Sequence, residues 1–276
     1  MKYIGVSMIP KVIHYCWFGK SPLPEKAVEC IESWKRFCPD YEIIQWNEEN
    51  YDFSKNQYVK DAYKEKKWAF VSDYARVDII YNMGGIYLDT DVELIASLDD
   101  FLSDKLFCGW ENRDPLLDVI GQEYENSVAF GLGFGSEAGH PLLKKILDIY
   151  ENLSFYNIDG SLNLTACPKY QTDALKTFGL DTTQRTFQKL QDIVVYPEDY
   201  FSPKSILTGK IDITENTVAI HHFSMSWVDK ESKIIHNLEW KLCSIMSYKQ
   251  AKKIVKLISI PLRLKRKIRY ILQNNS

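Results

Sequence analysis

The sequence predicts an α/β fold with a mixed central sheet and a helical C-terminal tail. The chain opens with a strand–helix–strand pattern: an apolar run at 11–16, a helical pattern that begins at Pro24, and a second apolar run at 41–46. This opening is typical of the layered α/β domains that bind nucleotides. With 276 residues, 45% of them hydrophobic, the chain can bury a substantial core, which excludes a mainly disordered protein.

The later elements follow from helical spacing and short apolar runs. The strongest helix is predicted over Trp68–Met83, where Phe70, Tyr74 and Val77 mark one face, and Gly84-Gly85 is expected to end it. We expect further helices at 56–67, 140–152 and 168–178, and further strands at 86–88, 106–110, 127–135, 193–196 and 217–221.

Charge is distributed unevenly along the chain. The overall formal charge is −3, but residues 241–276 carry ten Lys/Arg and no acidic residue, which leaves −13 on the first 240 residues. We therefore predict a catalytic or binding domain over 1–240 and a basic amphipathic tail over 241–276, which Pro261 divides into two helices. Such a tail is typical of segments that lie on an anionic membrane surface, whereas the acidic body argues against nucleic-acid binding.

Cysteine spacing and hydropathy indicate the compartment. The six cysteines form no CxxC pair, which argues against a zinc site or a disulfide scaffold. No apolar run reaches the roughly 18 residues that a membrane span requires. We therefore expect free thiols and a cytoplasmic protein that the tail associates peripherally with the inner face of the cell membrane.

The densest chemical signal is a pair of aspartates at the end of a predicted strand. Asp89 and Asp91 follow the apolar run 86–88, so we expect them at the carboxyl edge of the sheet, where α/β proteins bind ligands. Their oxygens suit Mg²⁺ or Mn²⁺, and such a cation can neutralise a diphosphate leaving group. A solvated turn is the alternative interpretation of this pattern.

Two other groups of residues could contact a ligand. Asp73 and Arg76 are three positions apart on one face of the preceding helix. The guanidinium suits phosphate or sugar hydroxyls, and the carboxylate accepts from hydroxyls, although a simple ion pair is the alternative. The glycines at 131, 133 and 135 fit no phosphate-binding fingerprint, and we interpret them as letting the backbone approach a sugar closely.

Together, Ile9–His14, Trp17, Ser72–Arg76 and Gly84–Asp91 resemble the sugar-binding region containing the DXD motif of glycosyltransferase family 32. That family includes fungal initiating α-mannosyltransferases and many bacterial polysaccharide transferases. The segment also looks like the catalytic core of the large clostridial glucosylating toxins. The resemblance implies a GT-A type, Rossmann-like domain that binds a nucleotide sugar.

The resemblance implies a role for each matching residue of the donor site. Trp17 resembles the aromatic residue that stacks on the nucleotide base. Asp73 resembles the carboxylate that binds ribose or sugar hydroxyls, and Arg76 the residue that contacts the donor sugar and diphosphate. Tyr87 resembles an aromatic residue near the ribose or phosphate.

The resemblance assigns the cation, Mn²⁺ or Mg²⁺, to Asp89 and Asp91, with Asp91 the more direct ligand. Many transferases of this fold use a late histidine, and the strand predicted near residue 220 ends in His221-His222. Because adjacent residues of a strand face opposite sides, only one of the two can face the cation. We predict that this residue is His222.

These expectations describe a metal-dependent retaining glycosyltransferase. It would move a hexose from a nucleotide sugar, with a UDP-sugar favoured, to a glycan or lipid-linked oligosaccharide acceptor in bacterial capsule or O-antigen synthesis. A haloacid-dehalogenase-like phosphohydrolase, whose DxD motif also follows an apolar strand, is one alternative. A non-catalytic, cation-dependent sugar-binding module is the other.

Overall fold

A computed structural model defines residues 8–113, 125–224 and 230–260. Within these ranges the chain forms nine strands and eight helices, with three short 3₁₀ turns. The strands are β1 Val12–Cys16, β2 Glu42–Trp46, β3 Gly85–Tyr87, β4 Val92–Leu94, β5 Leu106–Gly109, β6 Phe134–Ser136, β7 Gln188–Leu190, β8 Ile193–Tyr196 and β9 Ala219–His221. The helices are α1 Glu25–Phe37, α2 Gln57–Lys64, α3 Trp68–Met83, α4 Pro141–Glu151, α5 Cys167–Lys176, α6 Glu198–Phe201, α7 Lys230–Cys243 and α8 Tyr248–Ile258.

Seven strands form one mixed sheet in the order β2-β1-β3-β6-β5-β8-β7, which confirms the predicted α/β fold class. β1 is parallel to β2 and β3, β6 is antiparallel to β3 and β5, and β8 is parallel to β5. His14 of β1 pairs with Tyr87 of β3, so the segments that follow these two strands leave the sheet at the same edge. β4 and β9 form a separate antiparallel ladder, in which Val92 pairs with His221.

Helix α3 has the predicted ends, but its burial differs from the expectation. The sequence predicted one apolar face, whereas every residue from Asp73 to Ile80 is buried. The helix packs on β1 and β3 of the sheet and also on helices α2 and α4, which explains the burial of all its central residues. Gly84 and Gly85 end the helix with φ angles of 69° and 103°, a conformation that glycine adopts without strain.

Some elements were not predicted from the sequence, or were predicted with the wrong extent. β4 and β7 have three residues each, too few to show a periodic pattern. The strand predicted at 127–135 is confirmed only in β6, because a 3₁₀ turn at Phe130–Leu132 occupies its centre. Helix α7 was absent from the prediction.

The chain divides into two compact units. The second unit contains residues 204–211 and, in the part of the chain that is defined, 230–260. Within it, the Trp240 indole donates to the Ile206 carbonyl over 2.9 Å, and the Lys204 ammonium lies 4.0 Å from the Trp240 ring centroid. The predicted boundary at residue 240 lies inside α7, which packs on α8.

Only part of the predicted basic tail lies in the defined ranges. Helix α8 is present, and it begins at a capping box formed by Ser247 and Gln250. Pro261 and the residues after it lie outside the described residues. Across the defined ranges, no helix combines the length and the apolar character that crossing a bilayer requires.

Candidate functional site

The two aspartates of the DXD motif lie in the turn between β3 and β4. The Asp89 N–H donates to the Gly131 carbonyl over 3.3 Å, and the Val92 N–H donates back to the Asp89 carbonyl over 3.0 Å. This turn brings a carboxylate oxygen of Asp89, one of Asp91 and a ring nitrogen of His221 within 4.8 Å of one another. The structure therefore places both predicted aspartates in one cluster at the edge of the sheet.

Arg76 joins helix α3 to this turn. Its Nη2 atom lies 3.0 Å from Asp73 Oδ1 and 3.1 Å from Asp89 Oδ1. The Tyr87 hydroxyl donates to the same Asp89 oxygen over 3.0 Å, and the guanidinium lies 4.9 Å from the Tyr87 ring centroid. Burial raises the pKa of both aspartates, and Arg76 opposes this shift. The Arg76 side chain is only 6% exposed, so each member of this buried network depends on the others.

Asp91 contacts the segment that follows β9. His221 Nε2 lies 3.2 Å from Asp91 Oδ1, and the Ser224 N–H donates to Oδ2 over 2.7 Å. Burial alone would raise the pKa of Asp91, but these contacts outweigh it and keep the pKa well below its usual range. Asp91 is therefore ionised, which is the form that binds a cation.

The structure places His221, and not the predicted His222, beside the two aspartates. His222 Nε2 lies 2.7 Å from Glu93 Oε2, whereas His221 faces Asp91 and Asp89. The rule that adjacent strand residues face opposite sides holds, but it does not say which side faces the aspartates. That side is set by the pairing of β4 with β9, which the sequence did not predict.

The cluster of Asp89, Asp91 and His221 fits a divalent cation. The His221 nitrogen that lies 3.2 Å from Asp91 Oδ1 is Nε2, so an imidazole nitrogen lies beside the two carboxylates. Two carboxylates suit Mg²⁺ or Mn²⁺, and the added imidazole favours Mn²⁺. These three residues could therefore bind the predicted cation.

Gly131, in the 3₁₀ turn before β6, packs directly on the charged cluster. A Cβ atom at this position would lie 2.3 Å from Asp89 Oδ2 and 2.8 Å from Arg76 Nη1. That this glycine also makes room for a sugar stays a prediction. In the structure it lets the backbone approach the aspartate and the arginine.

We expect Gly131→Ala to weaken Mn²⁺ binding at least about tenfold, because the added methyl group displaces Asp89 or Arg76. The φ angle of Gly131 is not in the left-handed region, so alanine introduces no backbone strain. Electron paramagnetic resonance titration of Mn²⁺ measures the affinity. Gly109→Ala is the matched control, because its Cβ would lie 2.8 Å from the Phe201 ring in the apolar core. This control should lower the melting temperature and leave Mn²⁺ affinity unchanged.

Unchanged Mn²⁺ affinity in the folded Gly131→Ala variant would contradict the assignment of the cation site.

Trp17 lies directly after β1, at the sheet edge that the DXD turn shares. Its indole N–H donates to the Ser21 carbonyl over 2.7 Å, and its backbone N–H to the Trp46 carbonyl over 2.9 Å. The ring is partly buried against an apolar cluster. These contacts anchor the indole, and its stacking on a nucleotide base stays a prediction.

Comparison with known proteins identifies the region that contains Asp89 and Asp91. Residues 24–108 match the family described as "Glycosyltransferase sugar-binding region containing DXD motif". Inositol phosphoceramide mannosyltransferase 3 of Schizosaccharomyces pombe is 31% identical over 147 residues, which are 50% of this chain and 36% of that protein. The uncharacterized glycosyltransferase L373 of Acanthamoeba polyphaga mimivirus is 27% identical over 210 residues, 74% of this chain and 76% of that protein.

Among solved structures, the PaToxG glycosyltransferase is similar with a TM-score of 0.47 and 19% identity, over 64% of this chain and 72% of that chain. The chain spans only 36% of the length of the S. pombe mannosyltransferase named above. The family match confirms the resemblance to the DXD region that the sequence indicated. The matched residues, 24–108, include Asp73, Arg76 and the two aspartates of the motif. They do not include Trp17 or His221.

Proposed function

We propose that this chain, whose residues 24–108 carry the DXD sugar-binding region of the glycosyltransferases, is a metal-dependent glycosyltransferase that uses a nucleotide-sugar donor. The observation that supports this most is that Asp89 lies between Arg76 and the candidate cation site. Its carboxylate contacts Arg76 and also belongs to the cluster of Asp91 and His221. A guanidinium and a cation site on either side of one carboxylate suit the two phosphates of a nucleoside diphosphate.

The residues of the site would act mainly by binding and positioning. A divalent cation, when bound, would neutralise the diphosphate as it leaves. Arg76 would donate to phosphate oxygens or sugar hydroxyls, Asp73 would accept from hydroxyls, and Trp17 would stack on the base. Because Arg76 and Asp73 are buried and paired, their positions are fixed before the donor binds, which lowers the cost of orienting it. An acceptor hydroxyl would attack the anomeric carbon with retention, and no protein nucleophile is assigned.

The proposed donor is a UDP-hexose and the proposed acceptor a glycan or lipid-linked oligosaccharide of bacterial capsule or O-antigen. The likeness of Trp17 to its toxin counterpart favours uracil, while the name of the S. pombe relative, a mannosyltransferase, supports GDP-mannose as the second candidate donor. That name also gives a lipid, inositol phosphoceramide, as acceptor, which supports a lipid-linked acceptor.

Hydrolysis of a donor panel tests the proposal. UDP-glucose, UDP-galactose and GDP-mannose are incubated with the protein in Mn²⁺ or in EDTA, and release of free sugar is measured. We expect Mn²⁺-dependent release from one donor. Phosphate release from simple monoesters would instead support the phosphohydrolase, and Mn²⁺-dependent binding without turnover would support the sugar-binding module.

Helix α8 has one buried side and one basic side. Tyr248, Ala251 and Val255 form the buried side. Several lysines and large apolar residues are exposed on the rest of the helix and just after it: Lys249, Lys252, Lys253, Lys256, Leu257, Ile258 and Ile260. We propose that this surface, the α8 basic surface, lies on the anionic inner leaflet of the cell membrane. Its lysines would pair with lipid headgroups while its apolar residues enter the interface.

We expect the double variant Lys253→Glu/Lys256→Glu to bind anionic vesicles at least about thirtyfold more weakly, since each lysine near such a surface contributes about 1 kcal/mol. Co-sedimentation with vesicles of phosphatidylserine and phosphatidylcholine measures the binding. The control is Lys60→Glu/Lys64→Glu on α2, whose lysines are also exposed. It should retain binding; an equal loss in both variants, or none in the first, would contradict a membrane role for the α8 basic surface.

A further inference from the structure

Two buried polar atoms without partners lie on helices α4 and α5, which pack on each other. Among the described residues, the Tyr150 hydroxyl and Gln171 Nε2 have no hydrogen-bond partner. Both side chains are 1% exposed. Buried donors are nearly always paired in folded proteins, because leaving one unpaired is costly. A ligand with hydroxyl groups would supply the partners that these atoms lack.

Helix α5 places Gln171 beside the charged cluster. Cys167 lies four residues earlier on the same face of α5, and its thiol interacts with Asp73, whose pKa it lowers. On the other side, Gln171 Oε1 accepts from the Phe130 N–H over 2.9 Å. Phe130 precedes Gly131, the glycine that packs on the aspartate and arginine of the site. Gln171 therefore lies between two segments that both contact the cluster.

The contact with Phe130 also fixes the orientation of the carboxamide. A backbone N–H can only donate, so the atom of Gln171 that faces it must be the oxygen. The nitrogen is then left with two N–H groups to donate. Burial and then Asp73 raise the pKa of the Tyr150 hydroxyl well above its usual value.

We propose that Gln171 binds the donor sugar: Nε2 donates to a hydroxyl of the hexose that Asp73 and Arg76 contact. This inference rests on the proposed function and adds a residue to its donor site. A hexose hydroxyl both donates and accepts, so a site with one acceptor, Asp73, and two donors, Arg76 and Gln171, can pair several hydroxyls. A site built to bond a hydroxyl discriminates against sugars in which that hydroxyl is missing or differently placed. Gln171 thus contributes to the selection of the donor sugar.

Gln171→Met tests the contact, because methionine has a similar length and no N–H group. The whole chain is titrated calorimetrically, in Mn²⁺, with UDP-glucose, UDP-galactose and GDP-mannose and with UDP and GDP. We expect the variant to bind the preferred nucleotide sugar about tenfold more weakly and the matching nucleoside diphosphate as tightly as the wild type. With the deoxy analogue that lacks the bonded hydroxyl, variant and wild type should bind equally.

A control separates this role from a structural one, since Gln171→Met also leaves the Phe130 N–H without its acceptor. Thr172→Val removes a comparable acceptor one residue later, because Thr172 Oγ1 accepts from the Val128 N–H over 2.9 Å. It should leave nucleotide-sugar affinity unchanged. An equal loss in both variants, an equal loss for the diphosphate, or no loss would overturn the inference. If the wild type binds no nucleotide sugar at all, the proposed function fails, and the inference with it.

Discussion

Asp91→Asn should abolish sugar release from the donor while the chain stays folded. Asparagine keeps one oxygen that can accept from the Ser224 N–H, but it loses the charge and the second oxygen, which faces His221. Without that charge the cation binds poorly and the diphosphate leaves without neutralisation. We expect a loss of at least about a hundredfold in Mn²⁺-dependent hydrolysis. Free sugar is measured together with the circular dichroism spectrum and the melting temperature.

Glu93→Gln is the matched control for this variant. Glu93 lies two residues after Asp91 and also contacts a histidine, His222, but it is outside the cation cluster. The control should keep most of its activity. Full activity in the Asp91 variant, or a comparable loss in the Glu93 variant, would count against the metal assignment.

Arg76→Met is expected to lower both stability and activity. It leaves the buried carboxylate of Asp73 and the partly buried carboxylate of Asp89 without the guanidinium that they share. Breaking a buried ion pair from one side typically costs about 3–5 kcal/mol of unfolding free energy. Donor hydrolysis should fall at least about a hundredfold, because the diphosphate loses its guanidinium contact. Chemical denaturation and the hydrolysis assay measure the two effects.

Lys11→Met provides the comparison for the stability effect. Lys11 also contacts two carboxylates, Asp40 at 2.6 Å and Asp99 at 2.9 Å, but its side chain is 40% exposed. Water screens such a surface cluster, so this variant should change stability little. If Lys11→Met destabilised the chain as much as Arg76→Met, burial would not explain the importance of Arg76.

The stability deficit of Arg76→Met should depend on pH. Burial already raises the pKa of Asp73, and Arg76 opposes the shift; without Arg76 the pKa should rise further. A raised pKa in the folded state means that the folded chain binds the proton more tightly than the unfolded chain, so stability is lost as pH rises through this range. The deficit should therefore be largest at neutral pH and shrink as the pH falls and Asp73 takes up a proton in the folded chain. A deficit that grows as pH falls would contradict this account.

Local sequence signals predicted much of the fold. Helix α3 begins and ends as expected because a long apolar pattern is followed by two glycines that must adopt positive φ. The spacing of Asp89 and Asp91 after a buried run was enough to place them together at the sheet edge. In each case, the information lies within about twenty consecutive residues.

The features of the site that could not be predicted from the sequence depend on contacts between segments far apart in the chain. The orientation of His221 follows from the pairing of β9 with β4, two strands of three residues separated by more than a hundred positions. The contact of Gly131 with Asp89 and the position of Gln171 depend on how the 3₁₀ turn packs beside α3 and α5. A single sequence contains no periodic signal for such contacts. The glycines at 131, 133 and 135 did single out this segment, although their spacing fits no known phosphate-binding motif.

Asp89, Asp91 and His221 are proposed to bind a divalent cation against the donor diphosphate. Anomalous diffraction at the manganese edge, from crystals grown with Mn²⁺ and UDP, would locate that cation. We predict one strong anomalous peak bordered by these three side chains, with the diphosphate between the peak and Arg76. A peak between Glu93 and His222, or a diphosphate bound away from Arg76 with no metal at the aspartates, would contradict it.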